Sequence, residues 1–133
     1  MRSRFLSKLR TEKIDKNKWQ LTDELMYFSE SVWKLIKVPA GFITDLASVP
    51  RLPLAYMLAG GKAQEPAVVH DYLYSTKMFT RDVCDDIFYE AILASKQHGW
   101  FTANIMWAGV RLGGWAAWRK PNVPQEIELD GNF

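Results

Sequence analysis

A histidine and an aspartate stand next to each other in the segment His70-Asp71-Tyr72-Leu73-Tyr74. An imidazole held on a rigid helix can act as a general base near neutral pH, and a carboxylate can bind a hard cation. Adjacent residues on a helix point about 100° apart, so these two side chains do not bond each other. The alternative is structural: a core histidine whose nitrogens are bonded, beside an aspartate that pairs with a cation.

Asp85 is the second candidate for chemistry. It lies near Val83, Phe88 and Ile92, toward the apolar side of the next predicted helix, and a carboxylate buried there needs a partner. Only a few residues join the two helices, so we expect them to pack antiparallel, with His70 facing Asp85. We predict a hydrogen bond between these side chains. An imidazole held by a buried carboxylate is the base-and-orienter unit of many hydrolases.

The remaining acidic residues of interest are a stripe on the helix of Asp85, and Asp45 in a loop. Asp82, Asp86 and Glu90 are spaced four apart, which is typical of a solvated acidic helix face. Asp45 lies between hydroxyl residues in the predicted loop 44–50. It is either a metal or substrate contact or an ordinary cap of the following turn.

Strand-like segments come first in the chain. Residues 19–38 carry β-branched and aromatic residues in imperfect alternation, which favours strands. Pro39-Ala40-Gly41 predicts a turn and 42–44 a second short strand. The expected product is a β-hairpin.

Helical periodicity begins at Leu54. Four helices are expected: one over 54–58, one starting at Glu65 or Pro66, one with Thr80 as its N-cap, and one after Gly99. The predicted fold class is therefore α+β, with an N-terminal β-hairpin or small antiparallel sheet followed by three to four packed helices.

The last predicted helix is rich in tryptophan. Because large aromatic side chains fill cores and interfaces, we predict that Trp107, Val110 and Trp115 are mostly buried, against the core or a partner. Gly113-Gly114 are expected to end or kink the helix.

Length and composition favour one domain over residues 1–133, with 48% hydrophobic residues. The net charge of +2 is too small to indicate specific nucleic-acid binding. Residues 1–18 are predominantly basic, as in a solvated or poorly ordered arm or one that docks on an acidic partner or membrane surface. The tail 121–133 is expected to be a loop or extended arm. The single cysteine, Cys84, excludes an intrachain disulfide and is expected to be a small core residue.

Several segments together resemble the motifs of a family catalogued as domain of unknown function 1353. They are 38–51, 67–74, 81–88, 110–113 and 115–118. The resemblance covers roughly residues 30–120. It implies a protein of tailed phages or prophages, and it implies no activity, because the family name assigns none.

A shorter resemblance concerns the His-Asp helix and its neighbour. His70-Asp71-x-x-Tyr74, followed by Arg81, Asp85-Asp86 and Phe88, is similar to the active-site helix pair of secretory phospholipases of the A-two type. The resemblance implies that His70 is the base, Asp71 a calcium ligand and Asp85 the orienter of His70. The chain departs from those enzymes in lacking their disulfides and their Gly-rich calcium loop, so Asp45 would have to supply missing oxygen ligands for Ca²⁺.

Two classes of function remain open. One is a hydrolase of lipid or envelope esters that uses His70, Asp85 and a divalent cation. The other is a non-catalytic phage virion or tail protein, or a binder of a host factor, in which the His-Asp cluster is structural.

Expected partners are other phage proteins, a host factor or a membrane surface. With no signal peptide and no apolar run of transmembrane length, the expected location is the host cytoplasm or the virion.

Overall fold

Strands precede helices along the chain, as the sequence predicts. The computed structural model describes residues 2–16, 18–44, 64–95 and 99–119. The strands are β1 (Arg4–Phe5), β2 (Thr11–Asp15), β3 (Lys18–Leu21), β4 (Leu25–Ser29), β5 (Lys34–Val38) and β6 (Ile43–Thr44). The helices are α1 (Gln64–Thr76), α2 (Arg81–Ala94) and α3 (Trp100–Arg119). The α+β prediction is confirmed. The predicted helix over 54–58 lies outside the described residues.

Two small antiparallel sheets form the N-terminal part. One has the order β1-β4-β5 and the other β2-β3-β6. Side chains along β4 alternate between the two faces, as a half-buried strand requires. Leu25, Tyr27 and Ser29 are buried, and Met26 and Phe28 are only half-buried.

The predicted β-hairpin is wrong in its pairing. β5 pairs with β4, whereas β6 pairs with β3 through Trp19 and Thr44. Between β5 and β6, the amide of Gly41 donates to the carbonyl of Leu21 at 2.7 Å, and Gly41 has a φ of 90°. That left-handed conformation suits glycine. The turn therefore carries the chain from one sheet to the other.

The basic N-terminal segment is part of the sheets. β1 pairs with β4, and β2 pairs with β3. The side chains of β2 are all exposed, whereas the ring of Phe5 lies 4.7 Å from that of Tyr27. The charged side chains of this segment are exposed, while β1 and β2 are held by strand pairing.

The helices pack antiparallel in sequence order. His70 and Tyr74 of α1 contact Asp85 and Arg81 of α2, so residue numbers rise along one helix as they fall along the other. α3 reverses direction again: Asn104 bonds Tyr89 near its start, and Arg111 bonds Asp85 further along. Thr80 has the extended backbone of an N-cap but makes no capping side-chain bond.

The buried residues form two clusters. The larger lies between the sheets and helices α1 and α2 and includes Leu21, Tyr27 and Leu73. The smaller is formed by residues of the three helices: Ala67, Phe88, Ile92, Ala103, Met106 and Val110. None of the described helices is both long and apolar enough to cross a membrane.

The burial predicted for α3 is confirmed for Val110 and wrong for Trp115. Val110 is buried, Trp107 is half-buried with its indole nitrogen bonded to Asp86, and Trp115 is 53% exposed. Trp115 lies on the side of α3 opposite the buried residues Ala103, Met106 and Val110. The helix does not end at Gly113-Gly114, because α3 continues to Arg119.

The burial pattern predicts a contrast between two leucines in helices. Leu73 is fully buried and Leu112 is 81% exposed. Leu73→Ala should reduce the free energy of unfolding by about 2–5 kcal/mol, because it leaves a cavity. Leu112→Ala is the matched control and should change it by less than about 0.5 kcal/mol. Urea unfolding measures both, and equal losses would contradict this packing.

Candidate functional site

The predicted contact between His70 and Asp85 is confirmed. His70 Nε2 lies 2.7 Å from Asp85 Oδ1, across the antiparallel helices α1 and α2. The Asp85 side chain is fully buried, and that of His70 is 10% exposed. The two residues therefore form a buried, hydrogen-bonded pair.

Asp85 of α2 receives hydrogen bonds from the two neighbouring helices, α1 and α3. Besides His70, the Tyr74 hydroxyl of α1 donates to Oδ1 at 2.6 Å, and Arg111 Nη1 of α3 donates to Oδ2 at 2.8 Å. Arg81 Nε of α2 lies 3.9 Å from Oδ2. Charge-assisted bonds of this kind are the ones that make a buried carboxylate tolerable.

These donors keep Asp85 ionised. Burial alone raises the pKa of Asp85, but the hydrogen bonds from His70, Tyr74 and Arg111 together bring that pKa below its ordinary value. An ionised carboxylate only accepts hydrogen bonds, so the proton between the two side chains belongs to His70 Nε2. In the neutral imidazole, Nδ1 is then the unprotonated nitrogen. No hydrogen bond to Nδ1 is found among the described residues.

Aromatic rings hold the imidazole from two sides. Ring centroids lie 4.2 Å away for Tyr74 and 4.7 Å away for Phe88. Burial raises the pKa of Tyr74, and the hydrogen bond to Asp85 raises it further, so its hydroxyl stays a donor. The ring of Trp118 meets that of Tyr74 edge-on at 5.0 Å.

The contacts of Arg81 and Arg111 with Asp85 do not follow from the sequence spacing, although both residues lie in family-like segments, 81–88 and 110–113. Neither is close to His70 in sequence, yet both reach Asp85. Arg81 also fastens α2 to α3, because its Nη2 donates to the carbonyls of Val110 and Arg111 at 2.9 and 2.7 Å. Only the position of Arg111 within the family-like segment 110–113 pointed to it.

Gly114 explains why a glycine pair lies inside α3. A Cβ at this position would lie 2.6 Å from the Tyr74 hydroxyl and 3.4 Å from Arg81 Nη2. The missing side chain therefore lets Tyr74 and Arg81 approach the helix backbone while both contact the Asp85 cluster. Gly114 is a packing requirement of the site and does not end the helix.

Asp71 is held from the second sheet. Thr44, fully buried at the end of β6, donates its hydroxyl to Asp71 Oδ2 at 2.7 Å. The other expected calcium ligand, Asp45, follows Thr44 in the sequence and lies outside the described residues. Within the described ranges, no group of three or more histidine, cysteine or acidic side chains is arranged to hold a metal ion.

The acidic stripe on α2 is exposed at Asp82 and Asp86, as a solvated face requires, and half-buried at Glu90. Asp86 accepts from the indole of Trp107 at 3.0 Å. Glu90 accepts from the Tyr27 hydroxyl at 2.6 Å and from the amide of Ser31 at 3.0 Å, which ties α2 to the first sheet. A hydrogen bond from Thr80 lowers the pKa of the exposed Asp82.

Cys84 is buried as predicted. Burial raises the pKa of its thiol to about 12, so the thiolate that reacts as a nucleophile is scarce at neutral pH. Its thiol points to the carbonyl of Phe79 at 3.8 Å. Cys84 is therefore a core residue beside Asp85 and takes no part in the polar cluster.

Comparison with known proteins places the chain in a family. A family model described as Protein of unknown function (DUF1353) matches residues 19–110. Because this match covers more than half of the sequence, the protein belongs to that family. The matched region contains His70, Asp71, Arg81 and Asp85. Neither the curated proteins nor the solved structures gave a match.

Gly114→Ala should destabilise the protein by about 1–3 kcal/mol, because the added methyl group displaces the Tyr74 hydroxyl from its position beside Asp85. Gly99→Ala is the control, since a Cβ there meets nothing within 4 Å; its effect should stay below about 1 kcal/mol. Thermal and urea unfolding of both variants measure the difference. A Gly114→Ala protein as stable as the wild type would show that the close approach is not required.

Acid should weaken the fold through Asp85. Because its folded-state pKa is lowered, ionised Asp85 stabilises the fold at every pH above the ordinary aspartate pKa of about 3.9. This contribution disappears as pH falls from that value through the lower folded-state pKa. Asp85→Asn should lose about 3–5 kcal/mol at neutral pH, because the half-buried Arg81 and Arg111 lose the carboxylate that pairs with them. Its unfolding free energy should also depend less on pH below about 4. Urea unfolding as a function of pH tests this, and parallel curves for variant and wild type would contradict it.

Proposed function

We propose that this protein is a hydrolase of lipid or envelope esters, with His70 as general base and Asp85 as its orienter. The observation that carries the proposal is the 2.7 Å contact between His70 Nε2 and a fully buried, ionised Asp85. It fixes the ring and leaves Nδ1 as the basic nitrogen. The local resemblance to secretory phospholipases assigns the same roles to the same two residues.

The proposed reaction uses His70 twice. Nδ1 takes a proton from water as the water oxygen bonds to the ester carbonyl carbon, and negative charge develops on the carbonyl oxygen. The imidazolium then gives that proton to the leaving alcohol oxygen as the ester C–O bond breaks. Asp85 stabilises the imidazolium between these steps, and the rings of Tyr74 and Phe88 keep it in place.

The proposed hydrolase also binds calcium, with Asp71 and Asp45 as ligands. Calcium takes six to eight oxygen ligands, and the described residues offer the carboxylate of Asp71, held by Thr44. Asp45, main-chain carbonyls and water are the proposed additional ligands. Bound there, the ion would supply positive charge near the developing oxyanion.

The proposed biological setting is that of a phage or prophage protein, in the host cytoplasm during infection or in the virion. The proposed partners are other phage proteins, a host factor or a membrane surface. Exposed aromatic side chains on α3, Trp100, Phe101 and Trp115, suit contact with a partner or with a lipid interface.

A non-catalytic role is the second candidate, and one observation favours it. Asp85 lies in α2 and accepts hydrogen bonds from α1 and α3. A purely structural role, holding the three helices together, would therefore also explain the cluster. Buried polar networks of this kind specify a unique packing. The two candidates differ in what a change at His70 does.

His70→Gln should reduce hydrolysis of short-chain phospholipid or nitrophenyl ester substrates by at least about 100-fold, because the general base is lost. The amide can still bond Asp85, so the melting temperature should stay close to that of the wild type. His98→Gln, at the other histidine of the chain, is the matched control and should keep full activity. Under the structural alternative, neither the wild type nor His70→Gln hydrolyses these esters.

Asp71→Asn should abolish calcium binding without unfolding the protein, since the amide oxygen still accepts from Thr44. His70→Gln should bind calcium like the wild type. Calorimetric titration with Ca²⁺, together with melting temperatures, measures both variants. A wild type that does not bind calcium would remove the metal from the proposal, and destabilisation of both variants together would favour the structural role.

A further inference from the structure

Two arginines meet at Asp85, but they are bonded differently. Arg81 has donors on two main-chain carbonyls of α3 and on the Tyr74 hydroxyl, in addition to its ion pair with Asp85. Its guanidinium is used to hold helices together. The Arg111 side chain makes a single hydrogen bond among the described residues, from Nη1 to Asp85 Oδ2.

The Arg111 guanidinium therefore has N–H groups that bond no other described residue. A guanidinium carries five N–H groups in a planar fork, and the Arg111 side chain is 33% exposed, against 21% for Arg81. The bond to Asp85 fixes the end of the guanidinium that carries Nη1. The remaining N–H groups of Arg111 are available to a ligand from solvent.

The charge on Arg111 is only partly compensated. Asp85 is one carboxylate shared by Arg81 and Arg111, at 3.9 and 2.8 Å. Besides the hydrogen bond from Thr80, the charge of Arg111 also lowers the pKa of Asp82, but Asp82 is fully exposed. In the described part of the chain, Asp82 makes no ion pair within 4 Å. Solvent screens such a charge strongly. An incoming anion thus meets an arginine with spare charge and spare donors.

Arg111 and His70 share Asp85 as a hydrogen-bond partner. The guanidinium and the imidazole bond the two oxygens of the same carboxylate, so one carboxylate separates them. Trp107 and Trp115 lie one helical turn before and after Arg111, half-buried and exposed respectively. The surroundings therefore combine a cation with apolar surface.

We propose that Arg111 binds a phosphate group of the ligand next to the Asp85 cluster. Planar, bidentate donors match phosphate oxygens, and the aromatic neighbours suit an apolar portion of the same molecule. The inference rests on the proposed function in that it names the substrate class as a phosphate-bearing ester. A lipid headgroup and a soluble phosphate ester share this chemistry.

The test is titration with inorganic phosphate, followed by calorimetry and by NMR of arginine side-chain Nε–H groups. In the wild type, the Arg111 signal should shift with phosphate and that of Arg119 should not. Arg111→Gln should weaken phosphate binding at least about 10-fold. Arg119→Gln, two turns along the same helix, is the matched control and should stay within about 2-fold. An unshifted Arg111 signal, or equal loss in both variants, overturns the proposal.

A second arm separates the two sources of phosphate and guards against misfolding. Vesicles of phosphatidylglycerol are compared with phosphatidylcholine vesicles of equal size, with free phosphate as competitor. Binding to either vesicle that needs Arg111 and is competed by phosphate indicates a lipid headgroup. Phosphate binding without vesicle binding indicates a soluble ester. If Arg111→Gln fails to fold, the wild-type NMR titration alone decides.

Failure of this inference can be told apart from failure of the proposed function. Ester hydrolysis that needs His70, in a protein whose Arg111 does not respond to phosphate or vesicles, overturns the Arg111 site alone. Phosphate binding at Arg111 in a protein without hydrolytic activity supports the site and leaves the catalytic role of His70 without support.

Discussion

A fully buried carboxylate at Asp85 is the constraint on which the helical part of this protein depends. Taking a charge out of water is strongly unfavourable unless hydrogen bonds and opposite charges compensate for it. Here the compensation comes from His70 and Tyr74 on one side and from Arg111 on the other, at 2.6 to 2.8 Å. Because these donors belong to helices on either side of α2, satisfying Asp85 and packing the three helices are the same event. The site and the fold are therefore coupled energetically.

The two sheets also help to position the Asp85 cluster, because each bonds one of the helices that carry it. Thr44 of β6 holds Asp71 next to His70, and the Tyr27 hydroxyl of β4 holds Glu90 one turn beyond Asp85. α1 and α2 are thus each fixed to a strand by a short hydrogen bond near the site. A rigid support of this kind keeps an imidazole in one orientation, which both a general base and a structural network require. The chemistry of His70 and the binding capacity of Arg111 distinguish these two roles.

The sequence predicted what depends on local information. The class of fold, the helix starts near Pro66 and Thr80, and the His70–Asp85 contact all follow from periodicity, caps and a short connection. The partner of β6 could not be predicted, because a turn at Gly41 reverses the chain without specifying which strand it joins. Arg111 reaches Asp85 only through the register of α2 against α3, which no short connection fixes. Gly114 looked like a helix break because its reason is the tertiary contact with Tyr74.

The most direct test of the central claim is the protonation state of the His70 ring, measured by ¹⁵N NMR of histidine-labelled protein at about pH 8. His98→Gln assigns the remaining signals to His70. If ionised Asp85 orients the ring, the proton resides on Nε2 and Nδ1 is bare. In Asp85→Asn, the His70 signals should change toward a mixture of tautomers. A proton on Nδ1 in the wild type, or signals unchanged by Asp85→Asn, would contradict the account.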